Sequence, residues 1–422
     1  MNPASLSAVR AALARAAAVP EEGAWFVPGR IEVLGKHTDY AGGRSLVCAV
    51  EQGFVAAAAP RPDPKVRVLD VDGGGEVEIP LDDGAADLPS GWMRYPVTVV
   101  RRIARNFPSA RRGADIAFES DLPPASGMSS SSALMVSVFL AVAAINELDR
   151  EEAYRSQIAG PEDLAAYLAT IENGHSFGAL TGDGGVGTFG GSEDHTAMLC
   201  CRPGELSQYS FGPVRHERQV EFPPDRRFVV AVSGVRAEKT GAAQDAYNRA
   251  SLLVRAILGL WRSATGRDDA TLGDAVARRG PAEVRNAVAR GRVDGLATGA
   301  LLDRLDQFVA ESREIVPAAS AALAAGDLRA FGALVDRSQA LAERALGNQV
   351  PETIALARQA RQLGADAASA FGAGFGGSVW AMVPAGGADR FAREWDSAFR
   401  AAFPAARPVF LVTRPGGPAS RL

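Results

Sequence analysis

A run of charged and hydroxyl-bearing residues at a strand-to-turn junction constrains this chain more than any other feature. Residues 28–43 read Pro-Gly-Arg-Ile-Glu-Val-Leu-Gly-Lys-His-Thr-Asp-Tyr-Ala-Gly-Gly. Ile31, Val33 and Leu34 supply an apolar strand, and the following turn carries Lys36, His37, Thr38, Asp39 and Tyr40 between glycines. Polar side chains on a loop held by a rigid strand are what a site for a small polar molecule requires. The plainer alternative is a solvated surface hairpin, which has no need of Thr, His, Asp and Tyr together.

Around this junction the first half of the chain mixes short strand-like runs with Gly, Asp and Pro turns, at 23–34, 45–59, 66–71, 77–81 and 115–119. Helical spacing is expected before residue 20 and over 92–106, 130–146 and 161–173. Residues 202–226 turn polar and Pro-rich and read as a domain junction. A strand at 227–232 precedes mostly helical sequence to about residue 363, and strands return at 378–383 and 408–412. With 422 residues, 47% of them apolar, the chain can fill two cores. The expected class is α+β, with a sheet-rich domain over 1–215 and a helix-rich domain over 216–422 that regains a sheet.

The 22% charged fraction and net charge of −4 point to neither nucleic acid nor an anionic membrane surface as partner. No apolar run reaches membrane-spanning length. Cys48, Cys200 and Cys201 form neither a disulfide framework nor a C-x-x-C metal pattern, so a reducing cytoplasm is expected. Basic charge is almost all Arg, with Lys only at 36, 65 and 239, which makes the Lys within the polar turn unlike random drift.

A second motif, Leu-Pro-Pro-Ala-Ser-Gly-Met-Ser-Ser-Ser-Ser-Ala over 122–133, follows a strand and runs into an apolar helix. Gly127 allows tight backbone geometry, and the serines are placed to cap the helix start. Free N–H groups and the helix dipole there make an anion site, and hydroxyls can meet phosphate oxygens or a metal ion. One serine would suffice for a cap, so four imply more than capping. The pattern from Gly29 to Lys36 brushes against G-x-x-x-x-G-K-[ST], but five residues separate the glycines and His37 follows the Lys, so that phosphate loop is rejected. Downstream, Glu172-Asn173-Gly174 ends a helix, and a glycine-rich loop leads to Gly190-Gly191-Ser192-Glu193-Asp194-His195. Near the end, residues 370–378 read Ala-Phe-Gly-Ala-Gly-Phe-Gly-Gly-Ser and open a strand, whereas a dinucleotide fingerprint opens a helix.

Together these segments resemble the GHMP kinases, and among them the galactokinases. The galactokinase sugar signature is Gly-Arg-(Val/Ile)-Asn-(Leu/Ile)-Ile-Gly-Glu-His-Thr-Asp-Tyr-Asn-Gly-Gly, so Glu32 stands in place of Asn and Lys36 in place of Glu. The serine run is similar to the ATP motif Pro-x-x-x-Gly-Leu-Ser-Ser-Ser-Ala-Ala, with Ser132 for Ala. Residues 187–195 resemble Gly-x-x-Cys-Gly-x-Met-Asp-Gln, with Gly190 for Cys, Glu193 for Met, His195 for Gln and a longer preceding loop. The late glycine turn resembles Thr-Gly-Ala-Gly-Phe-Gly-Gly, with Phe371 for Thr. Trp92-Met93-Arg94-Tyr95 and Tyr247-Asn248-Arg249 resemble two further family segments.

The resemblance implies a two-domain GHMP kinase fold, with a mixed sheet, helices in each domain and the active site in the cleft between them. It implies ATP-dependent phosphorylation of a sugar at its anomeric hydroxyl, galactose first. A uronic acid, arabinose or an amino sugar is the alternative substrate, and a non-catalytic sugar sensor the alternative from another class. By the same resemblance Asp194 takes the proton of the sugar hydroxyl, and Arg30 beside it steadies developing charge. Lys36, His37, Asp39, Gly191 and Tyr247 would meet the sugar; Trp92, Gly127, Ser129, Ser130, Ser131 and Ser132 the ATP; Ser131 and Glu172 a Mg²⁺. The expected partners are small molecules only, and the expected state is monomer or homodimer. For Lys36 two readings stay open, a contact to an anionic sugar group or an internal pair with Glu32.

Overall fold

The structure, a computed structural model, describes residues 3–82, 84, 88–123, 126–235 and 244–422, without the side chains of 3, 4 and 244–247. Its first sheet is built on two long strands, β1 (Gly23–Leu34) and β2 (Arg44–Arg61), in antiparallel register. Their Val, Ala, Ile and Cys content suits burial on both faces, and nearly every residue of both strands is buried. The sheet continues through β3 (Lys65–Asp70), β4 (Gly75–Pro80) and β5 (Gly113–Ser120), with β3 and β5 parallel. The register of β1 against β2 shifts between Pro28 and Arg30 and again between Glu32 and Leu34. Such bulges re-aim side chains, and here they bracket the first charged residues of the polar junction.

The helix Ser130–Asn146 is apolar almost all round, which requires burial on every side. It packs across β1 and β2 and brings its N-terminus beside the polar turn. Residues 202–226, expected as a junction, instead form the hairpin β6 (Glu205–Ser210) and β7 (Arg215–Glu221), which joins the sheet through β2. β7 is exposed along nearly its whole length while β6 is buried, so the polar sequence hid a strand pair. The expected division at 215/216 therefore falls at the start of β7, and a cut between Glu221 and Arg226 fits the sheets better.

The second sheet is antiparallel, in the order β11 (Val409–Thr413), β8 (Arg226–Val232), β10 (Ser378–Pro384) and β9 (Ala367–Phe371). Successive residues face opposite cores. Val229, Ala231, Val379 and Ala381 pack on Phe391, Trp395 and Phe399 of the helix Ala388–Ala402. Phe228, Val230, Trp380 and Met382 face the other way, into a core continuous with that of the first sheet. The final strand β12 (Ser420–Arg421) returns to β1, pairing Trp25 with Arg421. Between the sheets, helices from Gln244 to Val309 gather around Ile257, Trp261, Leu305 and Phe308 and enclose Ala41 of the polar turn.

Candidate active site

Arg30 and Glu32 lie two residues apart on β1, so both project from one face while Ile31 and Val33 enter the core. Arg30 is 2% exposed, and its guanidinium grips Asp194 Oδ1 through Nε at 2.7 Å and Nη2 at 2.6 Å. Nη1 donates to Gly127 O at 2.5 Å, and the ring of Phe371 lies 5.9 Å beneath the charge. An always-charged fork thus joins the sugar signature, the serine loop, the segment 187–195 and the late glycine turn. Phe371, which replaces a family Thr, serves as a face for this cation.

Asp194 stands in the first turn of the helix Glu193–Cys200, where sequence reading had placed a loop. A carboxylate at that end interacts favourably with the helix dipole. Ser132 Oγ lies 3.5 Å from Asp194 Oδ2 and donates to Glu172 Oε2 at 3.1 Å, while Thr188 Oγ1 meets Glu172 Oε1 at 3.5 Å. Glu172, Asp194 and the start of the serine-led helix therefore share one corner. The serine that reaches Glu172 here is Ser132, the position where the family has Ala, while the hydroxyls of Ser130 and Ser131 sit half-buried on the same helix turn.

The expected serine cap is absent. Ser129 adopts a left-handed backbone, φ 62°, its side chain makes no capping bond, and its buried hydroxyl has no partner among the described residues. The first-turn N–H groups are thereby left for an anion, the opposite outcome to the cap expected from serine frequency. Gly127 at φ 77° sets up this loop, and Gly372 at φ 78° approaches it so closely that a Cβ would stand 2.9 Å from Gly127 O.

On the opposite wall, His37 Nε2 faces the carbonyl of Ala373 at 3.0 Å, so Nε2 carries the proton and donates. Nδ1 then accepts from Tyr40 Oη at 2.9 Å. Asp39 Oδ2 accepts from the backbone N–H of Glu193 at 3.1 Å. Gly191 is packed on the same carboxylate, where any Cβ would stand 2.4 Å from Oδ2. The open cleft between these walls is lined by Arg30, Glu32, His37, Asp39, Glu172 and Asp194 among others. A concave site with several convergent polar groups suits a small polar ligand.

Of the expected site residues, Lys36 turns away from this cleft, Trp92 and the serines 129–132 are not among its lining residues, and the side chain of Tyr247 is not described. Lys36 is 1% exposed and absent from the lining; its ammonium donates to Ser369 Oγ at 2.8 Å and Ser338 Oγ at 3.0 Å. Ser338 in turn donates to Glu311 Oε1 at 2.9 Å, so Lys36 ties the turn to the C-terminal helices. No direct Lys36–Glu32 ion pair forms among the described residues, although Lys36 remains the largest charge favouring ionised Glu32. Trp92 donates from Nε1 to Gly74 O at 3.1 Å and packs edge-on against Phe118, outside the cleft lining. The side chain of Tyr247 lies outside the described residues; its neighbour Asn248 accepts from Phe189 N at 3.1 Å and donates to Gly187 O at 3.2 Å.

Two carboxyls in the cleft were not among the expected site residues. Glu32 and Glu193, each replacing a neutral family residue, lie near enough for their carboxyls to act on one another, and Ser45 Oγ donates to Glu193. Burial pushes Glu32 up to about 7, with Lys36 and Arg30 pulling it back. Burial and the nearby Glu32 and Asp39 push Glu193 well above the usual carboxylate range. Their joint departure from the family pattern was the signal that could have found them.

Among the described residues, no group of three His, Cys, Asp or Glu side chains could hold a metal, and no helix is long and apolar enough to cross a membrane. Three family models match the chain. They are the galactokinase galactose-binding signature over residues 15–60, the GHMP kinases N terminal domain over 94–181 and the GHMP kinases C terminal over 319–401. The galactokinase of Streptomyces coelicolor is 30% identical over 396 residues, which cover 92% of each chain. That of Chloroflexus aggregans is 30% identical over 395 residues, covering 92% of this chain and 90% of its own. A crystal structure of Lactococcus lactis galactokinase complexed with galactose superposes with a TM-score of 0.80 at 23% identity, over 99% of this chain and 100% of that one. Mevalonate kinase of Methanococcus jannaschii superposes at 0.54 with 12% identity, over 93% and 98%. These two structures share the fold.

Proposed function

The chain belongs to the galactokinase family of the GHMP kinases, and we propose that it transfers the γ-phosphoryl group of ATP to the anomeric hydroxyl of galactose. That it is a sugar kinase follows from the family; the sugar, the metal and the residue roles are our reading. The observation that carries the reading is the Arg30–Asp194 ion pair, set at the mouth of the serine-led helix and facing the cleft. Phosphoryl transfer needs positioning and charge neutralisation more than covalent chemistry. In this reading the free first-turn N–H groups, with Ser130 and Ser131, hold the ATP phosphates. Asp194 orients the sugar hydroxyl and takes its proton as it attacks in line. Arg30 holds that carboxylate in place and faces the oxygens that gain charge. Asp39 accepts sugar hydroxyls from the far wall, which His37 shapes through its bonds to Ala373 O and Tyr40 Oη.

Ser131 and Glu172 would hold a Mg²⁺. One carboxylate and hydroxyl oxygens are a hard donor set of the kind Mg²⁺ takes, its shell being completed by phosphate and water. When bound, the ion neutralises charge on the phosphates. Free Cys48, Cys200 and Cys201 accord with a cytoplasmic enzyme. A screen of free sugars with ATP, reading ADP release, tests the assignment. Galactose should stand first, and turnover confined to a different sugar would overturn it. The uronate alternative loses its support, because the Lys36 ammonium is turned into the protein rather than toward the cleft.

A further inference from the structure

We infer that Arg304 is a positioning residue for the sugar. It anchors the polar turn and, through Tyr40, sets which nitrogen of His37 carries the proton. This rests on the sugar-kinase reading of the same cleft, and Arg304 lies outside the three segments that the family models match. The residue is wholly buried, yet every acceptor of its guanidinium is a neutral oxygen. Nη2 donates to His37 O at 2.5 Å and to Tyr40 Oη at 3.2 Å, Nη1 to Gln307 Oε1, and Nε to Ala250 O at 3.4 Å. A buried cation without a counter-ion is costly and survives only where its hydrogen bonds are satisfied. Two of the four acceptors of Arg304 belong to the sugar turn, and Gln307 itself donates from Nε2 to Lys36 O at 3.2 Å.

Arg304, Gln307 and Glu311 follow one another at three- and four-residue spacing. They therefore share one face of the helix Thr298–Val309 and its π-helical continuation Ala310–Ile315. Glu311 Oε1 accepts from Gly35 N at 2.8 Å, and Ser312 Oγ accepts from Arg44 N at 3.1 Å. The row thus grips the backbone of the turn at 35, 36, 37 and 44. Within that span His37 has φ 57°, a left-handed conformation that a non-glycine residue keeps only where its surroundings over-determine it. The bond from Arg304 to the His37 carbonyl is one such constraint.

The side chains continue the connection. An arginine N–H can only donate, so Tyr40 Oη accepts from Arg304 and its single proton goes to His37 Nδ1 at 2.9 Å. Nε2 then carries the imidazole proton and donates to Ala373 O at 3.0 Å, in the late glycine turn. The far end agrees, because a carbonyl oxygen can only accept. Donation runs in one direction, from the helix Thr298–Val309 through the sugar turn to the glycine turn. Tyr40, His37 and Ala373 line the cleft and Arg304 does not, so Arg304 acts through them.

Arg304→Lys tests this, because it keeps the charge but replaces a planar fork with one ammonium that cannot serve His37 O, Tyr40 Oη and Gln307 together. Both the KM and the calorimetric Kd for galactose should rise ~10-fold or more, with the KM for ATP within about 2-fold of native. Mere destabilisation lowers the active fraction and leaves these constants where they were. Galactose constants that stay near native in folded Arg304→Lys, or that rise together with the KM for ATP, overturn the proposal. Should Arg304→Lys not fold, Tyr40→Phe, which removes one hydroxyl from the same chain of bonds, must show the same split between sugar and ATP. Nitrogen-15 NMR of the four labelled histidines, with His37 assigned by its loss in His37→Gln, should show the Nε2–H tautomer and an Nδ1 resonance that moves in Tyr40→Phe. The opposite tautomer, or an unmoved Nδ1 resonance, removes Tyr40 from the relay and overturns the proposal. If the native protein turns over no sugar, the kinase reading falls, and the calorimetric comparison of native protein with Arg304→Lys still decides the role of Arg304.

Discussion

At the scale of single residues, the site is organised around one buried cation and the carboxylates it leaves unmatched. Arg30 fixes Asp194 from two nitrogens, so the aspartate cannot swing away from the helix mouth. Asp194→Asn should lower kcat by ~10²–10⁴, the range for loss of a general base, with a smaller change in ATP binding. Near-normal turnover in Asp194→Ala with complete loss in Glu193→Ala would move the catalytic role one residue back. Glu32 yields a stability prediction whose sign follows from its displacement. Glu32 is raised to about 7 from an ordinary value of 4.5, so the folded protein holds a proton that the unfolded chain releases between those pH values. Its favourable contribution is complete below pH ~4.5 and is lost as pH rises through ~7. Glu32→Gln removes that loss. The Tm of the variant should gain on the native protein by several degrees as pH is raised from ~5 to ~8, measured by calorimetry. A gap that narrows with pH contradicts a buried, proton-holding carboxyl.

At the scale of elements, the serine-led helix is the device that separates the two substrates. Its N-terminus is left uncapped, and its serines are not among the residues that line the sugar cleft. Ser131→Ala and Ser132→Ala should each weaken Mg²⁺-ATP binding or turnover while galactose binding, followed by calorimetry, survives. Gly127→Val places a β-branched residue at φ 77°, a conformation such side chains avoid, and should abolish nucleotide binding through the loop rather than through the sugar wall. Loss of galactose binding in a folded Ser131→Ala protein would show that the two halves of the site are not separate. The same helix was legible in the sequence to its end residues, because it is a long apolar run opening on serines and giving way to polar residues after Ile145. The hairpin β6–β7 was not legible, because one solvated strand shows no apolar alternation.

At the scale of the molecule, Lys36 connects the two sheets' territories. Its ammonium lies against Ser338 and Ser369 of the C-terminal half, with Glu311 one hydroxyl away, while its backbone belongs to the sugar turn. Lys36→Met leaves Glu311 buried without that cation and should destabilise the protein by ~2–4 kcal/mol in denaturant unfolding. The kcat/KM for galactose at 25 °C should stay within about 3-fold of native, since the ammonium does not line the cleft. A steep rise in KM without loss of stability would return Lys36 to the sugar site.

The sequence by itself determined the family, the strands β1, β2, β8 and β10, the helices Ser130–Asn146 and Pro161–Asn173, and the neighbourhood of Arg30 with Asp194. The elements are carried by local signals, a period of two or 3.6 residues or a cap, whereas the neighbourhood of Arg30 with Asp194, 164 positions apart, is implied only by the resemblance to the family. Only the tertiary structure decided that Lys36 turns inward, that Ser129 leaves the helix uncapped, and that Glu32 comes near Glu193. Charges state what a residue can bind but not which of several partners burial will bring to it. That choice is made when the sheet, the turn and the helix Glu193–Cys200 close on one another, and desolvation then pushes up the carboxyls they enclose.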